Sequence, residues 1–80
     1  MELWIRSQDK ESLRKINAFH IGETNDKRIS IIDDDYNTIA FYNSKERALE
    51  VLNKISKLVE NAMYHTQLNN EVLFYQMPEE

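Results

Sequence analysis

The segment Ser44 to Met63, SKERALEVLNKISKLVENAM, is the only long periodic stretch in the chain, and it constrains what the remainder has to build. Ala48, Val51, Leu52, Ile55, Leu58, Val59 and Ala62 recur at steps of three and four, which places them in one stripe along an α-helix. Such a stripe needs a partner surface. The rest of the sequence has strand-like patterning, so that partner is expected to be a sheet. Asn43 and Ser44 are both suited to cap the helix, because a short polar side chain accepts the free amides of the first turn. Glu46, three after Asn43, fits a reciprocal capping box, and Glu50 with Lys54 fits an i,i+4 ion pair. No Gly or Pro interrupts the run from Asn43 to Met77. The helix is therefore expected to fray between Asn61 and Gln67, with the next turn at Asn69-Asn70. About 20 residues at 1.5 Å each give a rod of roughly 30 Å.

Around this helix the chain reads as short strands. Glu2 to Ser7 alternates Leu3 and Ile5 against Trp4 and Arg6, and Gln8 to Glu11 is a polar turn. Leu13 to Ile21 reads as one strand with a bulge, and Gly22 to Lys27 as a hairpin loop. Arg28 to Ile32 and Asn37 to Tyr42 are the next strands, separated by a turn at Asp33-Asp34-Asp35, since adjacent carboxylates resist burial. Val72 to Met77 closes the chain as a further strand, ended by Pro78, with Glu79-Glu80 as a solvated tail. The expected fold is α+β over residues 1–80 as one domain: a four-stranded antiparallel meander, one long amphipathic helix and a closing C-terminal strand. The pattern fits pairing of that last strand at either sheet edge or with a second subunit. With the helix on one sheet face, the other would carry several of Trp4, Phe19 or His20, Ile32, Ala40 and Tyr42, an apolar excess of the kind that marks partner sites.

The chain has 80 residues and no cysteine, so neither a disulfide nor a thiolate metal site can staple a core of this size. Homodimerisation is the remaining device. The net charge of −4 argues against general nucleic-acid binding. The amino terminus lacks the pattern of a signal peptide, and no uninterrupted apolar run exceeds four residues, so the expectation is a cytoplasmic protein that does not enter a membrane.

Each candidate chemistry is incomplete. Asp33, Asp35 and Asn37 have the spacing that opens a calcium loop. Thr38 stands where the loop needs glycine, and Ser44 where it needs the closing glutamate. His20 and His65 are the only histidines, too few for a metal site without cysteine. Ser30, His20 and Asp33 supply the residue types of a nucleophilic triad without the strained elbow that marks one. One glycine in the chain leaves no phosphate loop. No cofactor or metal is expected. Lys10, Arg14, Lys15, Lys27 and Arg28, with Trp4 or Tyr36 as a stacking platform, form the alternative of a nucleic-acid or nucleotide-binding protein.

Three stretches, the opening LWIRSQDK, the strand-to-cap run FYNSKERALEVLNKI and the ending FYQMPEE, resemble small uncharacterised proteins of Gram-positive bacteria, their phages and other mobile elements. The shared features are an IRSQD-like first strand, a helix cap and a last strand ending Met-Pro. They span about half the chain and carry no catalytic motif, and Leu13 to Tyr36 lies outside the likeness. What the resemblance implies is a cytoplasmic accessory protein that binds and modulates a host or phage protein. The residues themselves point to a non-enzymatic interaction module. Trp4, Arg6 and Tyr42 are the expected surface contacts, with Asp33, Asp34 and Asp35 as a charged rim.

Overall fold

The computed structural model describes residues 2–65 and 72–80. The fold is α+β, with strands β1 (Glu2–Arg6), β2 (Leu13–Lys15), β3 (Phe19–Glu23), β4 (Ile29–Asp33) and β5 (Thr38–Tyr42), helix α1 (Lys45–His65) and strand β6 (Val72–Gln76). Five strands precede the helix, rather than the four of the expected meander, and they are divided between two sheets. One sheet has the order β2-β1-β6 and the other β3-β4-β5.

The division falls inside Leu13–Ile21, whose imperfect alternation reads as one strand with a bulge. β2 ends at Lys15, and Ile16 extends its pairing by donating to Leu3 O (2.9 Å) while burying its side chain. The chain then leaves the first sheet through Asn17 and Ala18 and starts β3 in the second. β3, β4 and β5 form an antiparallel meander, with a register shift between Ile31 and Ile32. β6 returns to the first sheet and pairs parallel to β1, Glu2 against Val72 through Arg6 against Gln76. The last strand thus closes on its own chain.

Ser44, not Asn43, caps the helix: its Oγ accepts the amide hydrogen of Arg47 (3.1 Å). Ala48, Val51 and Ile55 from the stripe are buried against β4 and β5, where Ile31, Ile39, Ala40 and Tyr42 meet them. Leu52 packs on this cluster. Further along, Val59 and Leu58 are only half-buried, and Met63 is 67% exposed. The turn expected at Asn69-Asn70 lies outside the described residues.

Three turns share one device. Lys10, Lys27 and Tyr36 each sit in the left-handed region (φ 67°, 65° and 65°), and a nearby aspartate gathers the local donors. Asp9 accepts from Ser7 Oγ and from Glu11 N, Asp26 from Thr24 Oγ1, and Asp33 from Asp35 N and Asn37 N.

Gln8 joins the sheets. Its backbone N–H donates to Ile39 O (3.0 Å) on the free edge of β5. Its side-chain amide continues along that edge, Oε1 accepting from Phe41 N (2.9 Å) and Nε2 donating to Phe41 O (2.9 Å). Nε2 also lies within reach of Pro78 O (3.2 Å) and Glu79 O (2.8 Å). The amide imitates one peptide unit of a strand, and its two hydrogens are shared among three carbonyls. The segment read as a polar turn is therefore the seam of the molecule. The C-terminal tail keeps Glu79 and Glu80 exposed, as expected, while its backbone is tied down there as well. Met77 is fully buried, its N donates to Arg6 O (3.1 Å), and Arg47 Nε donates to Glu80 O (2.8 Å).

Replacing Gln8 by Ala should cost about 1–3 kcal/mol in urea unfolding, because Phe41 N and O lose their partners. In Gln8→Glu the carboxylate would face carbonyl oxygens, raising its folded pKa. That variant should be the less stable at neutral pH and should regain stability as the pH falls through the raised value. Equal stability of wild type and both variants would contradict the seam.

Candidate functional site

The first sheet has two unlike faces. Alternation turns Leu3, Ile5, Leu73 and Tyr75 inward. Ile5 is 1% exposed, and Leu3 and Tyr75 pack on the core. The other face carries Glu2, Trp4 and Arg6 from β1, Leu13 and Lys15 from β2, and Val72, Phe74 and Gln76 from β6. Pairing sets these in rows: Lys15 beside Trp4 beside Phe74, Leu13 beside Arg6 beside Gln76, and Glu2 beside Val72. Trp4 is half-buried at the centre. Phe74 is 66% exposed, and Leu13 (45%) and Val72 (43%) are also open to solvent. An aromatic pair with two aliphatic neighbours and a polar rim has the composition of an interface centre.

Glu2 fixes the indole. Its Oε2 accepts from Trp4 Nε1 (3.3 Å), and its Oε1 lies 3.5 Å from Lys15 Nζ. The bond from Trp4, and then the charge of Lys15, hold the Glu2 carboxyl below the ordinary 4.5. Arg6 is exposed, and its guanidinium donates to Lys10 O (3.4 Å), which leaves most of its donors directed outward.

Of the residues expected to make contacts, Trp4 and Arg6 thus share one face. Tyr42 does not join them. It is 3% exposed, packed under the helix with Ala40 and Ile31, and its hydroxyl donates to Pro78 O (2.9 Å). Burial pushes its phenol up to about 12, so it stays a neutral donor, and Tyr42 is a core residue, not the surface contact expected. Ala40 is buried too, and Phe19 packs on the core cluster; of the second-sheet residues expected on the outer face, only His20 and Ile32, cross-strand neighbours in β3 and β4, lie away from the core.

The acidic turn divides similarly. Asp34 and Asp35 are exposed, whereas Asp33 is 3% exposed and serves the turn. Burial raises the Asp33 carboxyl, but hydrogen bonds from Asn37 N, Asn37 Nδ2 and Asp35 N, with the field of Arg14, outweigh it and leave the pKa below 3.8. Asp33 is a structural carboxylate, not part of a rim. Ser30 Oγ donates to Gly22 O (3.2 Å), so its hydroxyl is engaged with the backbone.

The basic residues do not gather. Lys10 pairs with Glu79 (3.3 Å), Lys15 with Glu2 and Arg28 with Asp26 (2.9 Å). Arg28 also stacks on Phe41, 4.1 Å from the ring centroid, in the second sheet. A concavity of about 600 Å³ lies where the helix departs from the sheets, lined by Leu3, Phe19, Leu52, Val59 and Met63. Among the described residues its polar groups are Asn17, Ser56 and Glu60, with no convergent set.

Val72, Phe74 and Leu13 are the site residues that sequence reading missed. Their alternation was visible, but their neighbours depend on the parallel return of β6. No helix among the described residues is long and apolar enough to cross a membrane. Comparison with protein-family models, curated proteins and solved structures gives no significant match.

Two titrations test this geometry. Trp4, the only tryptophan, should report protonation of Glu2 as a change in emission with a midpoint below 4.5, at constant far-ultraviolet circular dichroism. Glu2→Gln should abolish it, and an unchanged transition in that variant would contradict the contact. The stability contributed by ionised Asp33 should be complete above its unfolded value near 3.8 and be lost as the pH falls through the lower folded value. Asp33→Ala should cost about 1–3 kcal/mol at neutral pH, and its unfolding free energy should depend less steeply on pH in this acid range.

Proposed function

We propose that this chain is a non-enzymatic interaction module that docks a protein partner on the outer face of its β2-β1-β6 sheet. The observation that carries the reading is the Trp4–Phe74 pair, set across β1 and β6 with Phe74 66% exposed and Leu13 and Val72 beside it. A face this apolar is costly to leave in water, and its aromatic centre with an Arg at the margin matches the residues that dominate binding energy at interfaces. Arg6 gives the rim a positive side, which favours an acidic border on the partner. The setting suggested by the LWIRSQDK, FYNSKERALEVLNKI and FYQMPEE stretches is that of a phage or mobile-element accessory protein in the cytoplasm, acting on a host or phage protein. Nucleic acid is the weaker reading, because Lys10, Lys15 and Arg28 are each matched to a carboxylate within the chain.

The test is affinity capture from bacterial lysate, with and without nuclease, using wild type and Trp4→Ala side by side. A stoichiometric protein that survives nuclease and binds Trp4→Ala at least about tenfold more weakly, with that variant still folded, is the expected result. Capture unaffected by Trp4→Ala would remove the site, and prey lost on nuclease treatment would favour nucleic acid.

A further inference from the structure

We infer that β6 pairs edge to edge with β6 of a second copy of this chain, antiparallel about a two-fold axis at Phe74. Met77 N donates to Arg6 O, so backbone groups of Met77, and by alternation those of Tyr75 and Leu73, point toward β1. The N–H and C=O groups of Val72, Phe74 and Gln76 therefore point outward, and among the described residues no strand pairs with that edge.

The other edges are guarded. β2 carries Arg14 and Lys15, β3 carries Gly22 and Glu23, and the β5 edge is covered by Gln8. β6, Val-Leu-Phe-Tyr-Gln, has no charge, proline or bulge, the devices that keep an edge from pairing.

The strand is also complementary to itself. A two-fold axis at Phe74 sets Phe74 opposite its own copy, Val72 opposite Gln76 and Leu73 opposite Tyr75, with no like charges facing. The outward-pointing residues are then the ones that exchange both hydrogen bonds, and the central pair is aromatic on aromatic. The product is a continuous six-stranded sheet whose two Trp4–Phe74 faces lie side by side.

The test is sedimentation equilibrium of the full chain. Wild type should have about twice the 9.6 kDa monomer mass at protein concentrations near 100 μM. Phe74→Pro should be a monomer with unchanged circular dichroism, since the lost N–H points away from β1. Should that variant fail to fold, Phe74→Lys serves instead. It brings two ammonium groups together across the axis, so it should dissociate the dimer at low salt and recover it in part at high salt. A monomeric wild type at that concentration, or a Phe74→Lys dimer as stable as wild type at low salt, would overturn the inference.

Discussion

The architecture depends on one side chain that behaves as backbone. β5 would otherwise end the second sheet with bare N–H and C=O groups, and buried unpaired backbone groups cost as much as lost hydrogen bonds. Gln8 meets them with its own N–H at Ile39 and its amide at Phe41. Because Phe41 N can only donate, the amide orientation follows: Oε1 faces Phe41 N, and Nε2 faces the carbonyls of Phe41, Pro78 and Glu79. The first strand, the fifth strand and the C-terminal tail are thus joined at one point. Residues nearly at opposite ends of the sequence become neighbours, and the chain acquires a closure that its lack of cysteine denies it by covalent means.

That seam decides which surfaces are covered. Holding the tail against β5 buries Met77 completely and brings Pro78 O to the hydroxyl of Tyr42. Those contacts complete the core in which Ile31, Val51 and Ala48 are fully buried. The same closure draws β6 alongside β1 and turns Leu73 and Tyr75 inward, so Phe74 and Val72 must face out beside Trp4. The exposed aromatic face is a consequence of how the core closes, and the alternation of a five-residue strand leaves no way to hide both sets.

Much of this was legible in the sequence, and the failures have definite causes. The helix was readable because seven apolar residues keep one period; its cap was narrowed to Asn43 or Ser44, of which the fold uses Ser44. Strand positions were readable within one or two residues wherever alternation is bounded by turn residues, as at Asp33 to Asn37. The division of Leu13–Ile21 was not, since Ile16 is buried in the core and nothing local distinguishes a bend from a bulge. Gln8 was unreadable because its partners lie 33 and 70 or more positions away. Tyr42 was misjudged for a different reason. Its place shares parity with Ala40 on the helix side of β5, and a phenol with a carbonyl to bond can be buried as readily as a phenylalanine. On the candidate face, Trp4 and Arg6 were found from β1 alone, whereas Phe74 required knowing that β6 runs beside it.

Residue-resolved amide hydrogen exchange measures the seam most directly. Among the described residues Phe41 N–H has no strand opposite it, only the Gln8 side chain, so its protection reports that one contact. If Gln8 completes the sheet edge, Phe41 should exchange at the same free energy as Ile31 in the centre of β4. Exchange of Phe41 at the rate of an open loop, with Ile31 still protected, would show that the edge is bare and that the closure described here does not form.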